Sequence, residues 1–300
     1  MDTPPPPRVA RPLQPTRLFN QSCPYCGKTF CEDLPPTKEH VIGRRFVPKG
    51  LLDNQWNLIL QACEGCNNGK AELEDDISAI TMHPSMIGWT GDEHPALRED
   101  ALRKAQNSIH RSTKKPVIDS SQNFNITYKG EGISIKFSGA APPQLNPNRA
   151  YDLAFLHWRA LFYWLTYDQS SQHGKWWPAT EFLSVSVTRK GDWGNPLNRY
   201  FMDTSKEWVQ LALCGTAHGC FKASIKRFED EPLFAMAVEW NETFRVCGFL
   251  GTNALLKPIQ ESLPALEFHD MRDHSGNIVA KRRSDTPLAL ENDTMFVIPD

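Results

Sequence analysis

The sequence predicts an α+β protein. It reads as a Cys/His/Asn-punctuated N-terminal segment, a helical connector, and a C-terminal mixed α+β domain built on an antiparallel sheet. Three observations predict it. Cys23-x-x-Cys26 and Cys63-x-x-Cys66 bracket a short polar segment. Short alternating or apolar runs then recur from residue 123 onward, as strands of a sheet do. A single stretch, Tyr151–Tyr167, is apolar on nearly every side and reads as a buried helix.

Composition narrows the class. In 300 residues, 40% are hydrophobic and 23% charged, the balance of a globular chain. Tyr151–Tyr167 carries His157 and Arg159 and is too short for a membrane span. Prolines 4–7 occupy the place of a secretory apolar region, so the expected compartment is the cytoplasm and no membrane partner is expected. The formal net charge of −2 argues against coating nucleic acid by charge alone. Residues 1–70 are mildly basic, with nine Lys/Arg against six Asp/Glu, which permits a phosphate-facing site there.

Taken in order, residues 1–17 hold six prolines and read as a disordered, solvated tail. Residues 18–90 form the first folded unit, with Phe46-Val47 and Leu58-Ile59-Leu60 as strand-like runs and a helix over 71–80. Residues 91–122 are a connector around one amphipathic helix, where Leu97, Ala101, Ala105 and Ile109 share a face. Residues 123–300 are the second domain. It opens on a hairpin, 124–128 with 133–137, and continues with strands at 182–188, 208–213, 221–227, 233–240 and 244–249 against the 151–167 helix.

The two CxxC pairs carry the first chemistry. Four thiolates can hold one tetrahedral zinc at about 2.3 Å, and such a closed site is structural. It supplies folding free energy to a segment too small to bury a core of its own. Between the pairs lie Glu39, His40 and Asn57, and Asn67 follows the last cysteine. A carboxylate and an amide oxygen are hard ligands suited to Mg²⁺ or Mn²⁺. A histidine near its reference pKa of ~6.5 can serve as a base at neutral pH.

Cys-x-x-Cys, Glu-His, Asn-Leu and Cys-x-x-Cys-Asn-x-x-Lys together resemble the HNH nuclease motif, a zinc-stabilised ββα-metal finger, over Cys23–Lys70. The resemblance implies a metal-dependent endonuclease that hydrolyses DNA phosphodiesters. His40 would be the general base, and Glu39 and Asn67 would hold the catalytic divalent metal. Asn57, or Asn54 in its place, would brace the loop that orients the histidine. Cys23, Cys26, Cys63 and Cys66 would hold structural zinc, and Lys70 would lie near a phosphate. The chain departs from the motif at Gly43, where proline is frequent in the family. One such unit nicks a single strand, so cutting both needs a homodimer or two encounters. The alternative is a zinc-stabilised nucleic-acid-binding module that does not cleave. A finger fused to a separate domain is also the layout of restriction and phage-defence nucleases, by analogy only.

Other features read more plainly. Arg44, Arg45 and Lys49 are either phosphate contacts or a solvated basic turn. Cys214, Cys220 and Cys247 fit no zinc spacing and read as small core residues, with Cys31 a bystander. Trp176-Trp177 either stack on bases or cap the core. Lys281-Arg282-Arg283 reads as a solvated loop.

Overall fold

The computed structural model describes residues 13–83, 95–130, 133–175, 181–272 and 277–297. Most of the Pro-rich tail, the Trp176-Trp177 pair and the tip of the 124–137 hairpin lie outside the described residues.

The N-terminal unit is a three-stranded sheet with a helix at its end. Strands β1 (Thr16–Arg17), β2 (Pro36–His40) and β3 (Leu58–Cys63) lie in the order β1-β3-β2, with β2 antiparallel and β1 parallel to β3. Helix α1 (Glu64–Thr81) starts directly after Cys63. Two expectations are corrected here. Thr16 and Arg17, assigned to the tail, form a strand on β3 because Thr16 and Leu18 N–H groups bond Asn57 and Ile59 carbonyls. Phe46 and Val47 are buried in a turned loop rather than a strand.

The connector helix α2 (Pro95–Asn107) ends before Ile109, the last residue of its predicted apolar face, and Ala101 and Ala105 on that face are buried. The hairpin β4 (Gln122–Gly130) and β5 (Ile133–Ala141) pairs as expected but forms a sheet of its own. Helix α3 (Pro147–Leu165) begins on Asn146, whose side chain accepts from the Asn148 and Arg149 N–H groups, with Pro147 in the first turn. It is the buried helix predicted over 151–167.

The main sheet is antiparallel throughout. It joins β6 (Glu181–Arg189), β7 (Val209–Thr216), β8 (Phe221–Arg227), β9 (Phe234–Trp240) and β10 (Phe244–Gly251) in the order β6-β10-β9-β8-β7. Alternation along the strands splits its side chains between two cores. One face, with Cys214, Ala223, Ile225, Val238 and Val246, packs on α3. The other, with Val185, Ala237 and Phe249, packs on α4 (Pro196–Ser205) and α5 (Asn253–Glu261). Burial on both faces explains why β9 and β10 read as near-continuous apolar runs. A small hairpin, β11 (His269–Arg272) with β12 (Ile278–Arg282), follows. Among the described residues, no helix is long and apolar enough to cross a membrane.

The N-terminal unit and the main sheet share one hydrophobic core, in which Leu58, Leu60 and Trp56 meet α3 and the β8–β9 face. Trp56 lies 5.6 Å from Trp164, ring to ring. The loop between β9 and β10 fastens the join. Asn241 and Glu242 there take positive φ (51° and 57°), a conformation asparagine tolerates. The Asn241 amide donates to the Phe46 carbonyl (3.1 Å) and to Thr81 Oγ1 (2.8 Å), and Thr243 Oγ1 donates to the Thr81 carbonyl (2.7 Å). The β9–β10 loop therefore ties the end of α1 to the main sheet.

Candidate tetrathiolate and His40 site

The four cysteines of the paired motif converge. Their Sγ atoms all lie within 4.8 Å of one another, and Cys26 Sγ is 3.7 Å from Cys63 Sγ. The first pair sits on a tight turn in which the Gly27 N–H bonds the Cys23 carbonyl at 2.8 Å. Gly27 has φ 75°, where a side chain would strain the backbone. Cys63 closes β3 and Cys66 lies in the first turn of α1, so the strand–helix junction aims both sulfurs inward. Burial pushes the Cys23 thiol up to about 11 and Cys66 higher still. Four cysteine sulfurs this close could hold one metal ion, and an all-sulfur set suits zinc. Arg159 of α3 reaches the same corner, donating from Nη1 to the Tyr25 carbonyl at 3.0 Å.

His40 ends β2, and side chains hold its carbonyl and the Ile42 and Gly43 backbone that follows. Lys70 Nζ donates to the His40 carbonyl (3.3 Å). Asn57 brackets Ile42, donating from Nδ2 to its carbonyl (2.7 Å) and accepting its N–H on Oδ1 (3.2 Å). The Gly43 N–H donates to Glu74 Oε1 at 3.1 Å. A Cβ on Gly43 would meet Glu74 Oε2 at 2.3 Å. The departure from proline at this position thus has a cause: the turn needs both the N–H and the empty space. Asn54 instead takes a left-handed turn conformation (φ 56°), and Asn57 makes the bracing contacts.

The imidazole itself is half-buried and has no hydrogen-bond partner among the described residues. Burial lowers its pKa, and the positive charges of Arg44, Lys38, Lys70 and Arg17 lower it further. The result is a neutral ring with free nitrogens in a cationic setting.

β2 is an edge strand, and its two sides explain the rest. The Val41 N–H bonds the Leu58 carbonyl, so Thr37 and Glu39 also turn their backbone groups to β3. Lys38 and His40 then present their carbonyls to the free edge, where Asn67 and Lys70 of α1 cap them. Side chains alternate in the other sense. Glu39 points to the α1 side with Thr37. His40 shares the opposite face with Ile59 and Arg17, its partners across the sheet.

On the α1 side a buried polar network runs across the unit. Glu39 Oε1 accepts from Tyr25 Oη (2.8 Å) and lies 3.0 Å from Lys70 Nζ. Lys70 Nζ also lies 2.6 Å from Glu74 Oε1, and His157 Nε2 of α3 is 3.8 Å from the same oxygen. Burial pushes the Glu39 carboxyl up while Lys70 pulls against it. Burial would raise Glu74 as well, yet Lys70 and His157 hold it down to about 2.

The sequence-predicted residues therefore divide. Asn57 meets the loop after His40 through its two bonds to Ile42. Lys70 is corrected: its side chain is 1% exposed and balances two carboxylates, so it does not face a phosphate. Arg44, Arg45 and Lys49 are exposed, on the rim of a 710 Å³ cleft shared with Arg103 and Lys104 but also with Asp53, Asp75 and Asp100. Glu39 and Asn67 lie on the α1 side of β2, opposite the His40 ring, so the expected metal ligands and the expected base are not brought together. Asn67 Nδ2 is anchored on Thr37 Oγ1 (3.0 Å), and its Oδ1 has no partner among the described residues. Cys214, Cys220 and Cys247 are core, as read, and Cys31 is exposed. Arg283 bonds Asp192 rather than lying free.

Sequence reasoning missed Tyr25, Glu74, His157 and Arg159. Glu74 alone left a local signal, standing four residues after Lys70 on one helix face. No protein-family model, curated protein or solved structure matches the chain.

Proposed function

We propose that the chain is a metal-dependent endonuclease of the HNH type, with His40 as the general base that activates water against a DNA phosphodiester. The observation that carries this reading is the His40 imidazole: Lys70 holds its carbonyl, Asn57 and Glu74 hold Ile42 and Gly43 in the turn that follows, and the ring is unbonded and beside cations that lower its pKa. A histidine kept only for packing has no need of that restraint. A base waiting for a water proton does.

Each further part follows from named groups. His40 accepts the proton of the attacking water on a free ring nitrogen. Arg44 and Arg45, exposed on the turn that follows, meet the backbone phosphates on either side. The oxygens expected to hold a hard divalent ion are only partly available. Asn67 offers an unengaged amide oxygen, and Glu39 offers the carboxylate oxygen not taken by Tyr25 and Lys70. An ion bound there would sit on the face of β2 away from the imidazole, which counts against Glu39 and Asn67 as ligands of the ion that serves the His40 phosphate. The tetrathiolate takes zinc and holds β3 and α1 to the 23–26 turn, which keeps the hairpin and helix in register.

One observation favours a second reading, a zinc-stabilised nucleic-acid-binding module without cleavage. Glu39 already has a buried counter-ion in Lys70, and an ammonium competes with a metal for the same carboxylate. Incubation of supercoiled plasmid with the full chain separates the two. The nuclease reading predicts nicked circles with Mg²⁺ or Mn²⁺ and none when these ions are omitted. Omission is preferable to chelation, because a chelator also draws on the zinc. Retarded plasmid with no nicking under either ion supports the second reading instead.

A further inference from the structure

A groove of 750 Å³ runs beside β1, between Arg17–Phe19 and the end of α3 at Trp164 and Tyr167. The chain stays extended past β1: the Leu18 N–H bonds the Ile59 carbonyl, and the Asn20 side chain pairs with the Gln61 backbone through two bonds of 2.8 Å. Alternation then buries Leu18 and Asn20 and turns Arg17 and Phe19 outward. Phe19 is 66% exposed and has no ring contact among the described residues. Phe19 is held outward on an ordered extended segment, beside the groove.

Its position relative to His40 is fixed by pairing. Arg17, Ile59 and His40 form one row across the sheet, on one face. Two strand spacings separate the outer members, roughly 10 Å at the backbone. Lys38 and Arg44 extend the same positive field, so a polyanion lying along the row passes from His40 to Arg17 and reaches Phe19. The face carries cations for phosphates and, at its end, a flat ring. That pairing suits a nucleotide strand better than a peptide or a lipid.

We propose that Arg17 and Phe19 form a nucleotide subsite of the His40 centre, in which Arg17 holds a neighbouring phosphate and Phe19 stacks on an unpaired base. The proposal rests on the nuclease reading for its alignment with His40. A base inside a duplex shows its edge, whereas an exposed ring accepts a base face, so the occupant is single-stranded or locally opened nucleic acid. Asp168 and Gln172 lie on the far side of the groove and provide polar partners for a base edge.

The test is fluorescence anisotropy of a labelled single-stranded oligonucleotide and its duplex, using full-length chain with His40→Ala so that nothing is cut. Single strand is expected to bind more tightly than duplex. Adding Phe19→Ala should weaken single-strand binding about tenfold and leave duplex binding unchanged, with Phe19→Trp restoring it. Arg17→Ala should flatten the dependence of log affinity on log salt by about 0.7 for the single strand. Phe19 is exposed, so equal zinc content and equal melting of the variants control for folding. Single-strand affinity unchanged by Phe19→Ala, or no preference over duplex, overturns the subsite. The two ideas fail separately: Phe19-dependent binding without plasmid nicking by the wild type sinks the nuclease reading alone, and nicking without Phe19-dependent binding sinks the subsite alone.

Discussion

Stripping the tetrathiolate of its metal, or replacing Cys66 with serine, is expected to open the N-terminal unit and lower the melting temperature by roughly 10 °C or more. The stretch from Cys23 to Leu34 contains only isolated bridges and turns, and besides the sulfurs it is tied down chiefly by the buried Tyr25 and its bond to Glu39. Isolated zinc fingers gain about 10–16 kcal/mol from their metal. Even a third of that, at 2–4 °C per kcal/mol for a chain of this order, gives the stated shift. The loss should be local first. Phe46, Trp56 and Leu58 share a core with α3 and the main sheet, and Asn241 and Thr243 hold the end of α1. Hydrogen exchange should therefore quicken around residues 21–35 and the first turn of α1, while β8–β10 keep their protection. Metal analysis with chelator titration checks the premise, and unchanged melting after complete metal removal would contradict it.

Lys70→Met is expected to destabilise the chain by about 3–5 kcal/mol, the cost of leaving a buried charge without its partner. Glu39 and Glu74 would then face each other through a buried site with no cation between them. The His40 carbonyl would lose a donor as well. The pH dependence gives the signature. In the wild type Glu74 is held at about 2, against an ordinary value near 4.5, so its contribution is complete above 4.5 and lost as the pH falls toward 2. Without Lys70 both carboxyls move up, and the variant suffers most where they must stay ionised. The stability gap between wild type and variant should thus be widest near neutrality and narrow as the pH is lowered. Adding Glu74→Gln to the variant should recover part of the loss. A gap that stays constant with pH would mean that Lys70 acts through packing of its stem alone. Urea unfolding at several pH values decides it.

How much of this was legible in the sequence depends on the range of the rule involved. The cysteine pairs follow a local spacing, and all four sulfurs meet. The strands from 182 to 249 follow alternation or apolar runs, and each appears within a few residues of its expected place. Helix α4 was missed although Asn195-Pro196 repeats the Asn146-Pro147 start of α3, because ten residues, half of them polar, are too few for a sustained period. β1 was hidden among prolines, since two residues joined to a distant strand leave no periodic trace. Lys70 shows the deeper limit. A lysine on a helix reads as exposed, and only the approach of Glu39 across the free edge of β2 makes its burial tolerable. His157 is similar: nothing near it in the chain announces that it will sit against Glu74. The candidate site was thus readable as a set of residue types. Which of them face outward, and which balance one another inside, came from pairing between distant segments.

The most direct measurement is plasmid nicking by His40→Ala beside the wild type, at matched zinc content and matched melting temperature, with Mg²⁺ or Mn²⁺ present. If His40 takes the water proton, the variant should lose about 10²–10⁴-fold in rate while still binding DNA. Cleavage at the wild-type rate by a folded, zinc-loaded His40→Ala chain would contradict the account.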